Sequence, residues 1–183
     1  MICATEVTMD DEIIQIHKMN QQNLKANISK QVQDDEGFVS WLYPVSLLQQ
    51  MHKIAPSIIV KDDDTVIGYA LVTPIEVSSF HPDLKMMIDN LETILYKSKP
   101  LSSYSYYVMG QVCIDKDYRG KGIFKMLFQK HKEIYSDKYQ LLVTEISTKN
   151  LRSQKAHEKV GFTTIYTYRD ASDEWNVVVW DWR

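Results

Sequence analysis

Residues Gln111–Leu127, QVCIDKDYRGKGIFKML, decide the fold. Val112, Cys113 and Ile114 read as the end of a buried strand, and Asp115–Tyr118 as a polar turn. Arg119, Gly120, Lys121 and Gly122 then open a helix whose apolar face carries Ile123, Phe124, Met126, Leu127 and Phe128. A helix N-terminus presents unpaired N–H groups and roughly half a positive charge. Two glycines there let the backbone approach a ligand closely, and Arg119 and Lys121 add full charges. The stretch reads as an anion site suited to phosphate or pyrophosphate. It lacks the Gly-Lys-Ser/Thr ending of a Walker loop. No β-α-β alternation precedes it, so it is not a dinucleotide fingerprint either.

Working outward, Tyr104–Ile114 forms one long strand leading into this motif. Before it, Pro82 starts a helix to about Tyr96, with Leu84, Met87, Ile88, Leu91 and Leu95 on one face. Further upstream come a strand at Ile2–Val7 and a helix from Asp10 or Asp11 to about Leu24, with one of the aspartates as its cap. His17 on that helix reads as a packed, hydrogen-bonded core residue. Asn27–Ser40 reads as an exposed polar loop, and Tyr43–Ala55 as a helix stopped by Pro56. Strands at Ser57–Val60 and Thr65–Val72 flank Lys61–Asp64. The aspartates in that turn lack the wider spacing of a calcium loop, so they read as a hairpin and no metal site is expected. Downstream, the helix ends near Asp137. A buried strand follows at Tyr139–Ile146, then a short helix capped by Asn150 and closed by Gly161. Strands at Thr163–Tyr168 and Trp175–Trp182 end the order, with Val178, Trp180 and Trp182 on one face. The order β-α-α-β-β-α-β-α-β-α-β-β predicts an α/β fold around one central sheet.

The 183 residues suffice for one domain, residues 1–183, with a real core. A net charge of -3 and the lack of any long basic run argue against nucleic acid as a partner. Cys3 and Cys113 lie in apolar strand-like runs and read as reduced core residues, which fits a cytoplasmic location. No signal peptide is evident, and no apolar run reaches the ~20 residues of a membrane span.

About thirty residues beyond Arg119 comes Asn150-x-x-Ser153-x-x-Ala156-His157-x-x-x-Gly161-Phe162. With this block the chain resembles the GNAT superfamily of acyl-CoA-dependent N-acyltransferases. Its pyrophosphate loop, Arg/Gln-x-x-Gly-x-Gly/Ala, is matched by Arg119-x-x-Gly122-x-Phe124, with a departure at Phe124. The family's downstream Asn and Gly-Phe correspond to Asn150 and Gly161-Phe162. Its frequent tyrosine, a general acid for the leaving thiolate, aligns with His157. The motifs cover about Tyr106–Phe162. The first hundred residues match only in element order.

The resemblance implies a mixed, mostly antiparallel sheet of about seven strands flanked by helices. The strands of Ile114 and Ile146 would splay apart to admit acetyl-CoA. It implies that Val112, Cys113 and Ile114 pair with the pantetheine arm, with an amide near Val112 or Cys113 as oxyanion donor. The amides of Arg119, Gly120, Lys121, Gly122, Ile123 and Phe124 would hold the pyrophosphate. Asn150 and Ser153 would contact the cofactor near the thioester. The implied reaction is acetyl transfer to a primary amine of a small molecule or an exposed peptide amino group. The alternative is a non-catalytic coenzyme A-binding sensor or interaction domain. Glu145 is the candidate base and His157 the candidate acid, while Gln111 would orient substrate and Cys113 is not expected to be a nucleophile. Pro74–Ser103 is a helical insertion between the third and fourth strands, expected with Asn27–Ser40 to shape the acceptor site. Phe38, Trp41, Tyr96, Tyr104 and Tyr106 are candidate aromatic walls. A homodimer is left open.

Overall fold

The computed structural model describes all residues, Met1–Arg183. In chain order its strands are β1 (Ile2–Glu6), β2 (Ile58–Asp62), β3 (Thr65–Thr73), β4 (Leu95–Tyr96), β5 (Lys99–Pro100), β6 (Tyr106–Ile114), β7 (Leu141–Ser147), β8 (Thr163–Arg169) and β9 (Glu174–Asp181). The α-helices are α1 (Asp10–Asn23), α2 (Lys30–Glu36), α3 (Val45–Ile54), α4 (Pro82–Thr93), α5 (Ile123–Tyr135) and α6 (Leu151–Val160). Seven strands form one sheet in the order β1-β2-β3-β6-β7-β9-β8. Every neighbour pair is antiparallel except β6 and β7. The mixed sheet and its flanking helices agree with the expected architecture. The insertion between the sheet's third and fourth strands holds α4 and the small β4–β5 hairpin.

Period-two burial splits the core into two layers. Tyr69, Leu71, Tyr106 and Val108 face α1, α3 and α4. Ala70, Val72, Tyr107 and Met109 face α5, where Leu127 and Phe128 complete the packing.

Several boundaries differ from the sequence reading. α1 is anchored by Glu12, not by Asp10 or Asp11: Thr8 and Met9 amides donate to its carboxylate, which also takes Lys61 Nζ at 2.8 Å. A carboxylate three residues into a helix can reach back to orphan amides, whereas Asp10 and Asp11 already lie inside the first turn. Asn27–Ser40 is not all loop; Ser29 caps the short helix α2. α5 starts at Ile123, because Gly120 and Gly122 have φ of 75° and 82° and end any helical path before it. His17 does bond the core, with Nδ1 2.8 Å from the Tyr43 carbonyl.

The feature that positions the site is a bulge in β6. Ala70 pairs with Val112 and Val72 with Met109, so Gly110 and Gln111 together oppose Leu71. Tyr106 and Val108 face one core before the bulge, and Cys113 faces the same core after it, although the alternation has slipped by one. Gly110 is required there: a Cβ would lie 2.5 Å from Thr73 Oγ1 and 2.7 Å from the Tyr43 hydroxyl. Gly110→Ala should therefore cost about 1–3 kcal/mol in urea unfolding. Adding Thr73→Ala, which removes the nearer atom, should recover a measurable part of that loss.

Candidate active site

Beyond the bulge, β6 and β7 part. Their pairing runs from Tyr106–Leu141 to Val108–Val143 and stops. Thr144 Oγ1 donates to the Met109 carbonyl at 2.8 Å and closes the fork. Gln111 is pinned as well: its Oε1 accepts from the Tyr69 hydroxyl, and its Nε2 donates to the Trp41 carbonyl at 2.8 Å. With one bond at each polar end, Gln111 holds the bulge to the Trp41 loop and to Tyr69, and it also lines the smaller cavity. Past Val108, the edge of β6 facing β7 has no strand partner.

Two cavities meet at this fork. One, about 870 Å³, runs along Val112, Cys113 and Ile114 to Gly120, Gly122, Ile123 and Phe124. The other, about 530 Å³, lies among Trp41, Tyr43, Met87, Glu145, Tyr168 and Trp175. Val112, Asn150 and Ser153 line both. Asn150 caps α6, accepting from the Ser153 amide at 3.2 Å, and donates to the Phe38 carbonyl at 3.0 Å. Gly37 (φ 79°) lets the α2 loop come this close, since a Cβ there would sit 2.9 Å from Asn150 Oδ1.

At the far end of the larger groove, the amides of Gly120, Gly122, Ile123, Phe124 and Lys125 donate to no group in the protein. A Cβ on Gly120 or Gly122 would meet no protein atom within 4 Å. The glycines therefore serve backbone direction, and the space before them is open to an anion. The amides of Arg119 and Lys121 differ: they donate to Lys116 and Tyr118 carbonyls. Their side chains differ too. Arg119 is spent on the protein, with Nε to the Ile114 carbonyl (3.1 Å), Nη1 to Glu36 (2.8 Å) and Nη2 to Asn23 (2.7 Å). Lys121 Nζ stands 5.1 Å from the Tyr118 ring centroid and does not line the groove. The added positive charge comes instead from Lys125, Lys155 and Lys159, since Arg152 is itself held by Glu36 at 3.1 Å and by the Asp35 carbonyl at 2.7 Å. In the sequence, Lys155 and Lys159 at i, i+4 were the available signal that α6 turns a basic face this way.

Among the candidate acid–base groups, Glu145 projects into the smaller cavity one residue beyond the fork. Burial pushes its carboxyl up to about 7, the Tyr168 hydroxyl at 2.8 Å pulls the other way, and Asp170 adds to the rise. His157 lies among Phe124, Phe128 and Phe162, its ring centroid 5.0–5.4 Å from theirs. Burial lowers its pKa to about 4, although the Ser153 carbonyl, 2.8 Å from Nδ1, favours the proton. The imidazole is thus neutral with its Nδ1 hydrogen committed, an arrangement suited to packing rather than proton delivery. Phe124, the departure from the family pattern, is in contact with it. Burial pushes the Cys113 thiol up to about 12, so it is no nucleophile. Phe38 and Trp41 do form walls of the acceptor cavity. Tyr96, Tyr104 and Tyr106 do not: Tyr96 and Tyr104 bond Asp181 and the Tyr96 carbonyl, and Tyr106 is core. Tyr43, Thr144 and Tyr168, which the sequence does not single out, reach the site only through the fold.

The fold is the one that acetyltransferases of known structure share. The chain belongs to the acetyltransferase (GNAT) family, whose model matches residues 28–162. Among solved structures it is similar to the ribosomal-protein-S18-alanine N-acetyltransferase from Escherichia coli, at 10% identity and TM-score 0.64 over 99% of this chain and 94% of that one. Ard1 from Thermoplasma volcanium matches at 11% and 0.66 over 97% and 95%. A chain of the NatC complex bound to Gag peptide and CoA matches at 13% and 0.64 over 100% and 99%. No curated protein sequence matches the chain. No helix is long and apolar enough to cross a membrane.

Arg119 generates a direct test. α2 buries none of its residues and is held by polar contacts: Arg119 and Arg152 on Glu36, Arg152 on the Asp35 carbonyl, and Gln33 on the Lys25 and Ile28 carbonyls. Arg119→Ala should lower stability by about 1–3 kcal/mol and speed amide exchange across Lys30–Glu36 relative to the sheet.

Proposed function

We propose that this protein transfers the acetyl group of acetyl-CoA to a primary amine, with Glu145 as general base. The observation that carries this is the join between the two cavities: a groove ending in unpaired amides opens, between diverging strands, onto the buried Glu145 carboxyl, whose pKa desolvation raises. Pantetheine would lie against the free edge of β6 at Val112, Cys113 and Ile114 as an added strand. The pyrophosphate would sit on the amides of Gly120, Gly122, Ile123 and Phe124, to which we add Lys125. Asn150 and Ser153, lining both cavities, would flank the thioester.

In this reading, Glu145 takes a proton from the incoming ammonium and leaves a neutral amine. The amine nitrogen bonds to the thioester carbonyl carbon, and an amide near Val112 or Cys113 holds the oxyanion. The intermediate loses a nitrogen-bound proton to solvent and breaks its C–S bond. The thiolate then takes its proton from water, because His157 is neutral and its Nδ1 hydrogen is engaged. Holding amine and thioester together across the fork supplies much of the acceleration.

The base must be ionised, so kcat/KM should rise with pH and show an inflection near 7. Glu145→Gln should lower kcat/KM about 100-fold at pH 8 and lose that inflection. The same shift bears on stability. A carboxyl whose pKa is raised on folding keeps full stability below its unfolded value and loses it as pH rises through the folded one. Glu145→Gln should therefore raise the Tm at pH 8, by up to roughly 3 kcal/mol of stability, and do little at pH 4. An unchanged inflection in the variant would remove Glu145 from the role.

Gly122→Glu puts a carboxylate before the unpaired amides and should weaken coenzyme A binding at least about tenfold in calorimetry. Unchanged affinity would move the pyrophosphate elsewhere. Tight coenzyme A binding with no transfer to any amine would favour the sensor alternative.

A further inference from the structure

The two cavities carry opposite charge. The groove is lined by Arg119, Lys125, Arg152, Lys155 and Lys159 against a single acid, Glu36. The acceptor cavity is lined by Asp83, Glu145 and Asp170 and by no lysine or arginine. Its one histidine, His157, is buried and neutral. None of the three acids forms an ion pair with a lysine or arginine; His81 Nδ1, 3.8 Å from the Asp83 carboxylate, accepts from the Asp83 amide at 3.2 Å.

Their placement separates their roles. Glu145 sits beside the fork, where the thioester would arrive. Asp83 stands at the start of α4 in the insertion, exposed to solvent. Asp170 stands in the β8–β9 turn. It loses some solvation, yet bonds from Ser172, Asp173 and the Trp175 indole outweigh that and keep it ionised. It is a fixed negative charge held by the turn's own backbone. The same cavity has apolar walls, including Trp41, Leu84, Met87 and Trp175. Low-dielectric walls around charges of one sign concentrate their field in the cavity.

Resting on the transferase reading for the identity of this cavity, we infer that the acceptor is a dication. It would carry the reacting primary amine at one end of an apolar chain and a second cationic group at the other. The reacting amine goes to Glu145, where its proton can be removed. The second cation stays charged between Asp83 and Asp170. An amine bearing a carboxylate is rejected, because its anion meets the same field with no basic residue to receive it. The basic groove beside the cavity makes the same selection in reverse, keeping the anionic cofactor on its own side of the fork.

The test uses matched diamines, monoamines and ω-amino acids of butane and octane length. Binding to the coenzyme A-saturated protein is measured by calorimetry, and transfer from acetyl-CoA is followed separately. The better diamine should bind at least about tenfold tighter than its matched monoamine, with the ω-amino acid weakest. That advantage should shrink as salt rises. Asp83→Asn should cut the diamine's advantage about threefold, and Asp83→Glu should restore it. Tight diamine binding without acetylation supports the inference and overturns the transferase reading alone. An ω-amino acid binding as well as its diamine overturns the inference, even if monoamines are acetylated. So does a lack of binding by every diamine.

Discussion

The structure depends on one strand doing two incompatible things. β6 must pair fully with β3 to hold the sheet together, and must leave its other edge bare where β7 departs. A strand edge with no partner leaves N–H and C=O groups unsatisfied, which is costly inside a protein. The bulge at Gly110–Gln111 makes the compromise. It adds backbone on one side of the ladder only, which increases the local twist and carries β6 away from β7. Thr144 then caps the last carbonyl before the gap, and Gln111 ties the bulge to Tyr69 and Trp41. What remains open is a short stretch of strand edge in the interior of the sheet. The larger groove runs along this edge at Val112, Cys113 and Ile114.

Charge is distributed with the same economy. Arg119 looks like a phosphate ligand by type and position, but its guanidinium joins the end of β6, the end of α1 and the end of α2. A planar fork of donors suits that bridging better than a lysine would. The anion subsite is left to uncharged amides at the start of α5, set by two left-handed glycines. Gly68 contributes from below: a Cβ there would press on Ile123 Cγ2 at 3.0 Å, so its absence lets the first turn of α5 settle on β3. Fixed backbone dipoles at the start of α5 and lysine side chains along the groove thus make up its positive character.

These arrangements explain what could be read from the residues and what could not. The strand–turn–helix of Gln111–Leu127 was legible because periodicity, glycine and charge coincide within a few residues. Asn150 and Gly161 were legible for a similar reason, since a cap acts on its own helix. The start of α5 was misplaced because two glycines beside basic residues look alike whether they begin a helix or precede it; only their positive φ decides. α2 was hidden because seven largely polar residues with no buried face carry no hydrophobic period. The aromatic walls failed at Tyr96, Tyr104 and Tyr106 because side-chain direction past an insertion depends on tertiary packing. The bulge itself had a visible mark in Gly110, a glycine inside an apolar strand. Its consequence, the slip of alternation that puts both Val108 and Cys113 on one face, requires the partner strand.

Phe124 and His157 show how two departures from a family pattern can be one. Where the family carries a small residue and a tyrosine, this chain carries a phenylalanine and a histidine, and the rings meet at 5.0 Å edge to face. Phe128 and Phe162 close the remaining sides. In such surroundings an imidazolium would lose its hydration and gain only the Ser153 carbonyl, so the neutral ring is favoured. A phenol in the same place could have turned its hydroxyl toward the groove; the imidazole turns its one N–H back along its own helix. The Phe124 ring therefore does not block the unpaired amides that surround it in the sequence. It fills the seam between α5 and α6, against Phe128 and His157.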